Sequence, residues 1–266
     1  MSNILAIAQK EIRAYFASPI AYVVIGLFSI LFGVFYYAIL DWFVKQGMQM
    51  AMGGMGMGPQ SLNVNERMIR PLLQNATVLL LFVLPMITMR TYAEEKRSGT
   101  MELLLTSPIT DVEILIGKFL GALSLYAAML GVTLVYILVL FAFGTPEWKP
   151  IATAYLGLLL FGGCFISVGM LISSFTKNQI VAGMMTFVVF LLLWVIDWLA
   201  SSATGLFGAT AGPVVEDVLN YLSITQHFDD FAKGIIDTKH LIFYLSFITF
   251  GLFLTARSVD SERWRG

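Results

Sequence analysis

Residues 90–118, RTYAEEKRSGTMELLLTSPITDVEILIGK, concentrate the polar chemistry of this chain: Arg90, Glu94, Glu95, Lys96 and Arg97 put five charges within eight residues. Ser98 and Gly99 follow, and glycine at that place predicts a helix stop. A second short helix is expected from Thr100 through Glu102 and Leu103 to Leu105, ending at Thr106, Ser107 and Pro108, since proline cannot continue a helix and restricts the residue before it. Thr110 and Glu113 then form a capping-box pattern for the next helix. Such a segment offers oriented charged contacts beside an apolar anchor of Met101, Leu103 and Leu104, the mixture of a small, stiff protein interface.

Other candidate chemistry is thin. Gly117 and Lys118 are followed by Phe119 and lack the upstream glycine of a phosphate-binding loop, so no ATPase is expected in this chain. His227 and His240 are the two histidines, and neither has metal-ligand spacing with other ligands; both are read as surface or interface residues. Met48, Met50, Met52, Met55 and Met57 supply thioethers that would suit Cu(I), but methionine also serves as an adaptable apolar residue and a glycine-rich loop is poorly preorganised. No metal, cofactor or catalytic residue is assigned. Asp197 would cost about 2.5 to 3.5 kcal/mol at the centre of a bilayer; its place between Trp194 and Trp198 suggests the outer headgroup belt instead.

The elements that position these residues follow from composition. Of the 266 residues, 58% are hydrophobic and 12% charged, and the mean hydropathy is +0.81. About a quarter of the residues of an ordinary soluble domain are charged, so too few polar groups are present to cover a globule. This excludes a soluble protein. The net charge of -1 also excludes a nucleic-acid binder, whose affinity depends on a clustered basic surface.

A helix needs about 20 largely apolar residues to cross the hydrocarbon, and the charge-free runs give six spans, at about 20–40, 71–89, 119–143, 151–175, 179–199 and 240–257. The expected fold is an all-α integral membrane protein, a single transmembrane domain over 1–266. Period-two strands of a barrel are not seen. The first run lacks a cleavage motif and is expected to be retained. Lysine and arginine placement orients the chain, because cytoplasmic segments carry the excess. With both termini inside, Lys10, Arg13, Arg90, Lys96, Arg97, Lys118, Lys177, Arg257, Arg263 and Arg265 are cytoplasmic, ten of the sixteen.

Residues 1–18 space Ile4, Ile7, Ala8, Ile12, Tyr15 and Phe16 for a helix lying in the inner interface, with Gln9, Lys10 and Arg13 on its other side. Ser18 is expected as N-cap and Pro19 as the first helical residue of span one. GMQMAMGGMGMGP, residues 47–59, has no apolar periodicity and is expected to be a flexible outer loop. Residues 200–239 are expected as an outer loop bearing two short amphipathic helices, PVVEDVLNYLS and TQHFDDFAKGIID.

The run MRTYAEEKRSGTMELLLTSPIT before a GK pair resembles the hallmark segment of type 2 permeases of ATP-binding-cassette transporters, and within them the gliding-motility-associated permease type. KEIRAYFASPIAYVVIG, SSFTKNQIVAG and HFDDFAKGIIDTKHLIFYLSFITFGLFLTARSV agree in order, so the resemblance covers essentially the whole chain. The Met-rich stretch departs from that pattern. The resemblance implies a homodimeric or heterodimeric permease of the bacterial inner membrane, surrounded by lipid, that recruits two ATPase subunits which bind the ATP. It also implies that residues 90–110 form a coupling segment, in which Glu94, Glu95, Lys96, Arg97, Ser98, Gly99, Thr100 and Glu102 match the family.

The near absence of charges inside the spans argues against an ion relay and suits a lipid-like or amphipathic substrate, or mechanical work on a partner. An ion-coupled secondary transporter or channel is the alternative. An intramembrane enzyme finds no support, since no Ser/His, paired-Asp or HExxH constellation lies in a span.

Overall fold

The computed structural model describes residues 2–53, 63–101 and 109–263. Nine α-helices lie among the described residues, with no strand: α1 (Ser2–Ala17), α2 (Pro19–Gly53), α3 (Arg70–Thr88), α4 (Ala93–Ser98), α5 (Asp111–Phe143), α6 (Trp148–Ser174), α7 (Gln179–Leu222), α8 (Ile224–Ala232) and α9 (Thr238–Arg263). A π-helical turn, Asn65–Ile69, leads into α3. Six of these segments are long and apolar enough to cross a membrane: those built on α2, α3, α5, α6, α7 and α9. The all-α, six-span fold expected from the charge-free runs is the fold observed.

Two helices form the centre. α3 buries Leu72, Leu73, Ala76, Leu80, Leu84 and Ile87, and α6 packs against α3, α5, α7, α8 and α9. Small residues make that possible. A Cβ at Gly162 of α6 would collide with the ring of Tyr126 on α5, and one at Gly169 with the side chain of Thr88 on α3. In hydrocarbon, where apolar attraction between helices vanishes, such close backbone approach supplies the dispersion contacts that hold helices together. Tyr126, fully buried, then donates its hydroxyl hydrogen bond to the Leu158 carbonyl at 2.6 Å, which removes the cost of an unpaired polar group. The outer helices instead leave apolar faces uncovered, such as Ile30, Val34 and Tyr37 on α2 and Met184, Val188 and Leu192 on α7.

Charge is segregated to the two ends of the bundle. Arg70 and Arg90 bracket α3, and the residues between them rise about 30 Å, the thickness of the hydrocarbon layer. At the Arg90 end α1 lies along α5, with Ile7 against Gly117 and Glu11 against Gly121. Ser18 accepts the Ile20 amide at 3.4 Å as α2 begins.

Two helices run beyond their sequence-derived limits. α2 continues to Gly53, so Met48 and Met50 are helical; residues 54–62, with Met55 and Met57, lie outside the described residues. α7 is continuous from Gln179 to Leu222, where the sequence suggests a span ending near 199 and a separate helix in PVVEDVLNYLS. The Ser- and Gly-rich stretch after Ala200 carries no charge and several alanines, and alanine favours helix. Ser223, directly after this helix, hydrogen-bonds Asp197 at 3.2 Å, whereas 26 residues of straight helix would rise about 39 Å, so the chain bends back on itself within this element.

Candidate functional site

The site is built where α3 ends. Thr91 Oγ1 donates to the Thr88 carbonyl at 2.9 Å, and the Tyr92 and Ala93 amides both donate to Ser173 Oγ at 3.1 Å. A hydroxyl from α6 thus caps α4 and satisfies amides that a helix start leaves orphaned. α4 stops at Gly99, whose φ of 72° lies in the left-handed region where a Cβ is disfavoured. Ser98 Oγ donates to the Glu94 carbonyl at 2.9 Å and lies 2.9 Å from Thr100 Oγ1, bracing the turn. Thr100 and Met101 are helical again, and Met101 is buried in the main core. The expected continuation through Glu102, Leu103 and Leu104 to Pro108 lies outside the described residues. The Thr110–Glu113 capping box is present, with the Glu113 amide donating to Thr110 Oγ1 at 3.3 Å and the Thr110 amide to Glu113 Oε2 at 3.1 Å.

The charged residues of this segment divide by direction. Glu95 points inward, 2.8 Å from Lys118 Nζ on α5 and 3.6 Å from Lys10 Nζ on α1. Lys118, whose side chain is 1% exposed, is also 2.9 Å from Glu11 Oε1 and donates to the Thr91 carbonyl at 2.9 Å. Its ammonium sits over the Tyr92 ring, 5.3 Å from the centroid. Lys96 is buried and donates to the Ser174 carbonyl at the end of α6. Ser174 Oγ in turn lies 2.7 Å from Ser258 Oγ of α9. Tyr15 of α1 donates to the Ile87 carbonyl at 3.1 Å, and burial pushes its phenol well above the usual range, so it stays protonated.

Glu94 faces outward more, with half of its side chain accessible while it accepts two hydrogen bonds from Arg90, at 2.7 and 3.2 Å. Arg97, Ser98, Gly99 and Thr100 are exposed. The arrangement is therefore an exposed tip, Arg97–Thr100, standing on an ionic base that joins α1, α4 and α5 and is tied to α6 through Lys96. It holds no nucleophile beside a base, and among the described residues no three His, Cys, Asp or Glu gather as metal ligands.

A second cluster, at the other end of the bundle, is one the sequence reading passes over. His227 Nδ1 and His240 Nδ1 are 2.7 Å apart, with both rings buried. His240 Nε2 is 2.8 Å from Asp230 Oδ2, and His227 Nε2 is 3.2 Å from the Tyr221 carbonyl. Burial is the main cause that lowers the His227 pKa below its usual value. Beside them Asp229 meets Arg70 at 2.6 Å, Lys233 at 2.7 Å and Gln74 Nε2 at 2.7 Å. Burial raises the Asp229 pKa, but the hydrogen bonds from Lys233 and Arg70 outweigh it and the net shift is downward. Lys233 also holds Asp230 down. Both histidines flank the turn between α8 and α9, closed by Gly234 at φ 88°. A helix-turn-helix spacing around FAKGIIDTKH is the sequence signal that would have paired them.

Compared with known proteins, residues 5–256 match the family described as ABC-2 family transporter protein. The chain is 28% identical over 149 residues to the probable multidrug ABC transporter permease YbhR of Escherichia coli K12, an alignment covering 56% of this chain and 38% of that protein. The same values hold for YbhR of Escherichia coli O157:H7. The match thus spans about two fifths of the length of these relatives.

Proposed function

The chain belongs to the ABC-2 family of transporter proteins, and on that premise we propose that it is the permease subunit of an ATP-binding-cassette transporter, paired in a dimer and driven by ATPase subunits on separate chains. The Arg90 end faces the cytoplasm, with both termini, and the Arg70 end faces outward from a bacterial inner membrane. α1 lies at the inner interface, its exposed Leu5 turned to lipid. The cargo is a lipid-like or amphipathic molecule, in keeping with the multidrug label of the relatives and the apolar spans; mechanical work on a partner is the other use of the same stroke. The resemblance to the gliding-motility-associated type enters here as part of this reading.

The observation that carries the proposal is the exposed Arg97–Thr100 tip on its buried ionic base. An ATPase that closes on ATP can do work on the spans only if its displacement reaches them through a stiff joint. Breaking a buried charge pair costs several kcal/mol, so Lys118, Glu95 and Glu11 resist shear between α1, α4 and α5. Arg97, Ser98 and Thr100 then supply docking contacts, with Glu94 at the rim and Glu102 as a further contact of the same segment. Glu95 and Lys96 transmit rather than dock.

Affinity purification of the tagged chain from its native membranes tests this. A polypeptide carrying GxxxxGK[ST] and the other ATP-binding-cassette signatures should co-purify with the parent and be depleted at least tenfold, about 1.4 kcal/mol, with Arg97→Glu. Lys239→Ala, at the opposite end, should retain it. Absence of such an ATPase from the parent complex, or its full retention by Arg97→Glu, overturns the reading.

A further inference from the structure

Near the outer end of the bundle a cavity of about 310 Å³ opens between α3, α7 and α8, its lining including Gln74, Val78, Trp194, Asp197, Phe228 and Asp229. Its two acids differ. The charge of Asp229 is matched by Arg70 and Lys233. Asp197 Oδ1 accepts a hydrogen bond from Ser223 Oγ at 3.2 Å, and among the described residues no lysine, arginine or histidine forms an ion pair with it. Asp197 lies near the end of the apolar stretch Gln179–Ala200, half-buried in the cavity wall, and acids facing such a cavity at the end of a span commonly mark a binding site.

The surroundings specify the missing partner. Trp194 stands one turn before Asp197 on α7, and Phe228 closes the cavity from α8; aromatic faces beside a carboxylate attract an organic cation through the ring quadrupole as well as through charge. Along α3 and α7 the neighbouring side chains are apolar. Val78 leads one turn on to Phe82, which is 56% exposed, and Trp194 leads two turns back to Phe187, whose ring centroid is 5.1 Å from that of Phe82. A compact charged group suits the cavity, and an alkyl chain suits this apolar surface.

We propose that this cavity binds the head of an amphipathic monocation, with an ammonium group against Asp197 and Trp194 and the apolar tail along Val78, Phe82 and Phe187. The proposal deepens the transporter reading by naming the charge class of its cargo, and it depends on that reading only for what happens after binding.

The test therefore uses the full chain alone, without ATPase, in phosphatidylcholine nanodiscs. Equilibrium binding of radiolabelled decyltrimethylammonium below its micellar concentration is measured, with empty nanodiscs subtracted to remove partitioning into lipid. The parent should bind saturably, and excess unlabelled decyltrimethylammonium should compete, whereas decanol and decyl sulfate should not. Asp197→Asn, which keeps an oxygen for the Ser223 hydroxyl, should weaken binding at least tenfold; Asp197→Glu should restore part of it, and Trp194→Leu should lose severalfold. Equal binding by Asp197→Asn and parent, or equal competition by decanol, overturns the proposal. Failure to recruit an ATPase would leave this binding unaffected, so the two readings fail separately.

Discussion

Lys118 on α5 and Glu95 on α4 lie 2.8 Å apart in a setting that leaves Lys118 1% and Glu95 12% exposed, and this pair welds the segment after α3 to the start of a different helix. Glu11 of α1 completes the joint from 107 residues away. Replacing Lys118 by Met keeps its length but leaves Glu11 without a cation and Glu95 with only the exposed Lys10, 3.6 Å away, a loss of about 3–5 kcal/mol. The Lys118→Met chain should therefore unfold at markedly lower temperature in detergent, read by fluorescence-detected size exclusion. Adding Glu11→Gln and Glu95→Gln should recover most of the loss, because the buried charges disappear together. No recovery would show that the ionic joint is not what Lys118 contributes.

Outward-facing residues of the same segment should behave in the opposite way. Arg97→Glu alters an exposed side chain and Thr100→Asp an exposed one whose hydroxyl meets Ser98, and surface changes of this kind cost about 0.5 kcal/mol of stability. Both should unfold with the parent while losing the ATPase in purification. A fall in stability matching Lys118→Met would place these side chains in the core instead.

Gly99 isolates direction from charge. A Cβ there would meet nothing within 4 Å, so Gly99→Val harms the chain through its left-handed backbone alone, at about 1–3 kcal/mol. The turn relaxes, and the tip is expected to point elsewhere with every charge intact. ATPase-coupled turnover should fall, and Gly99→Asn, better tolerated at positive φ, should keep more of it. Equal turnover in parent and Gly99→Val would mean that the angle of the tip does not matter.

At the opposite end, pH should act through His227. Its pKa in the fold is lowered, chiefly by burial, whereas an unfolded histidine titrates near 6.5. Below about pH 6.5 the unfolded chain takes up a proton that the folded chain refuses, so stability is complete above that pH and declines as pH falls towards the folded pKa. The lowered Asp229 and Asp230 lose their contribution only below about pH 4. A melting temperature that drops between pH 7 and 5.5 in the parent, and drops less in His227→Phe, is the expected outcome. Identical slopes would remove His227 from the account.

The periodicity and charge spacing of the sequence were sufficient for much of this architecture, because hydrocarbon imposes a local rule: about 20 apolar residues per crossing. The six crossings, the Gly99 stop and the Thr110–Glu113 capping box are all legible for that reason, since each depends on neighbours within a few positions. What the side chains of AEEKRSGT do was not legible. Arg90, Glu94, Glu95, Lys96 and Arg97 read alike as oriented contacts of one segment, and only the placement of α1, α5 and α6 turns Glu95 towards Lys118 and Lys96 towards the Ser174 carbonyl while leaving Arg97 in the open. The histidines show the same limit: as isolated residues they suggest surface positions, and the turn around Gly234 makes them a buried pair 2.7 Å apart. Asp197 reads from sequence as a headgroup-belt acid, and the meeting of α3, α7 and α8 puts it in a cavity wall. Local pattern determines where the helices are. Which polar groups they enclose depends on contacts between residues far apart in the chain, which no local spacing encodes.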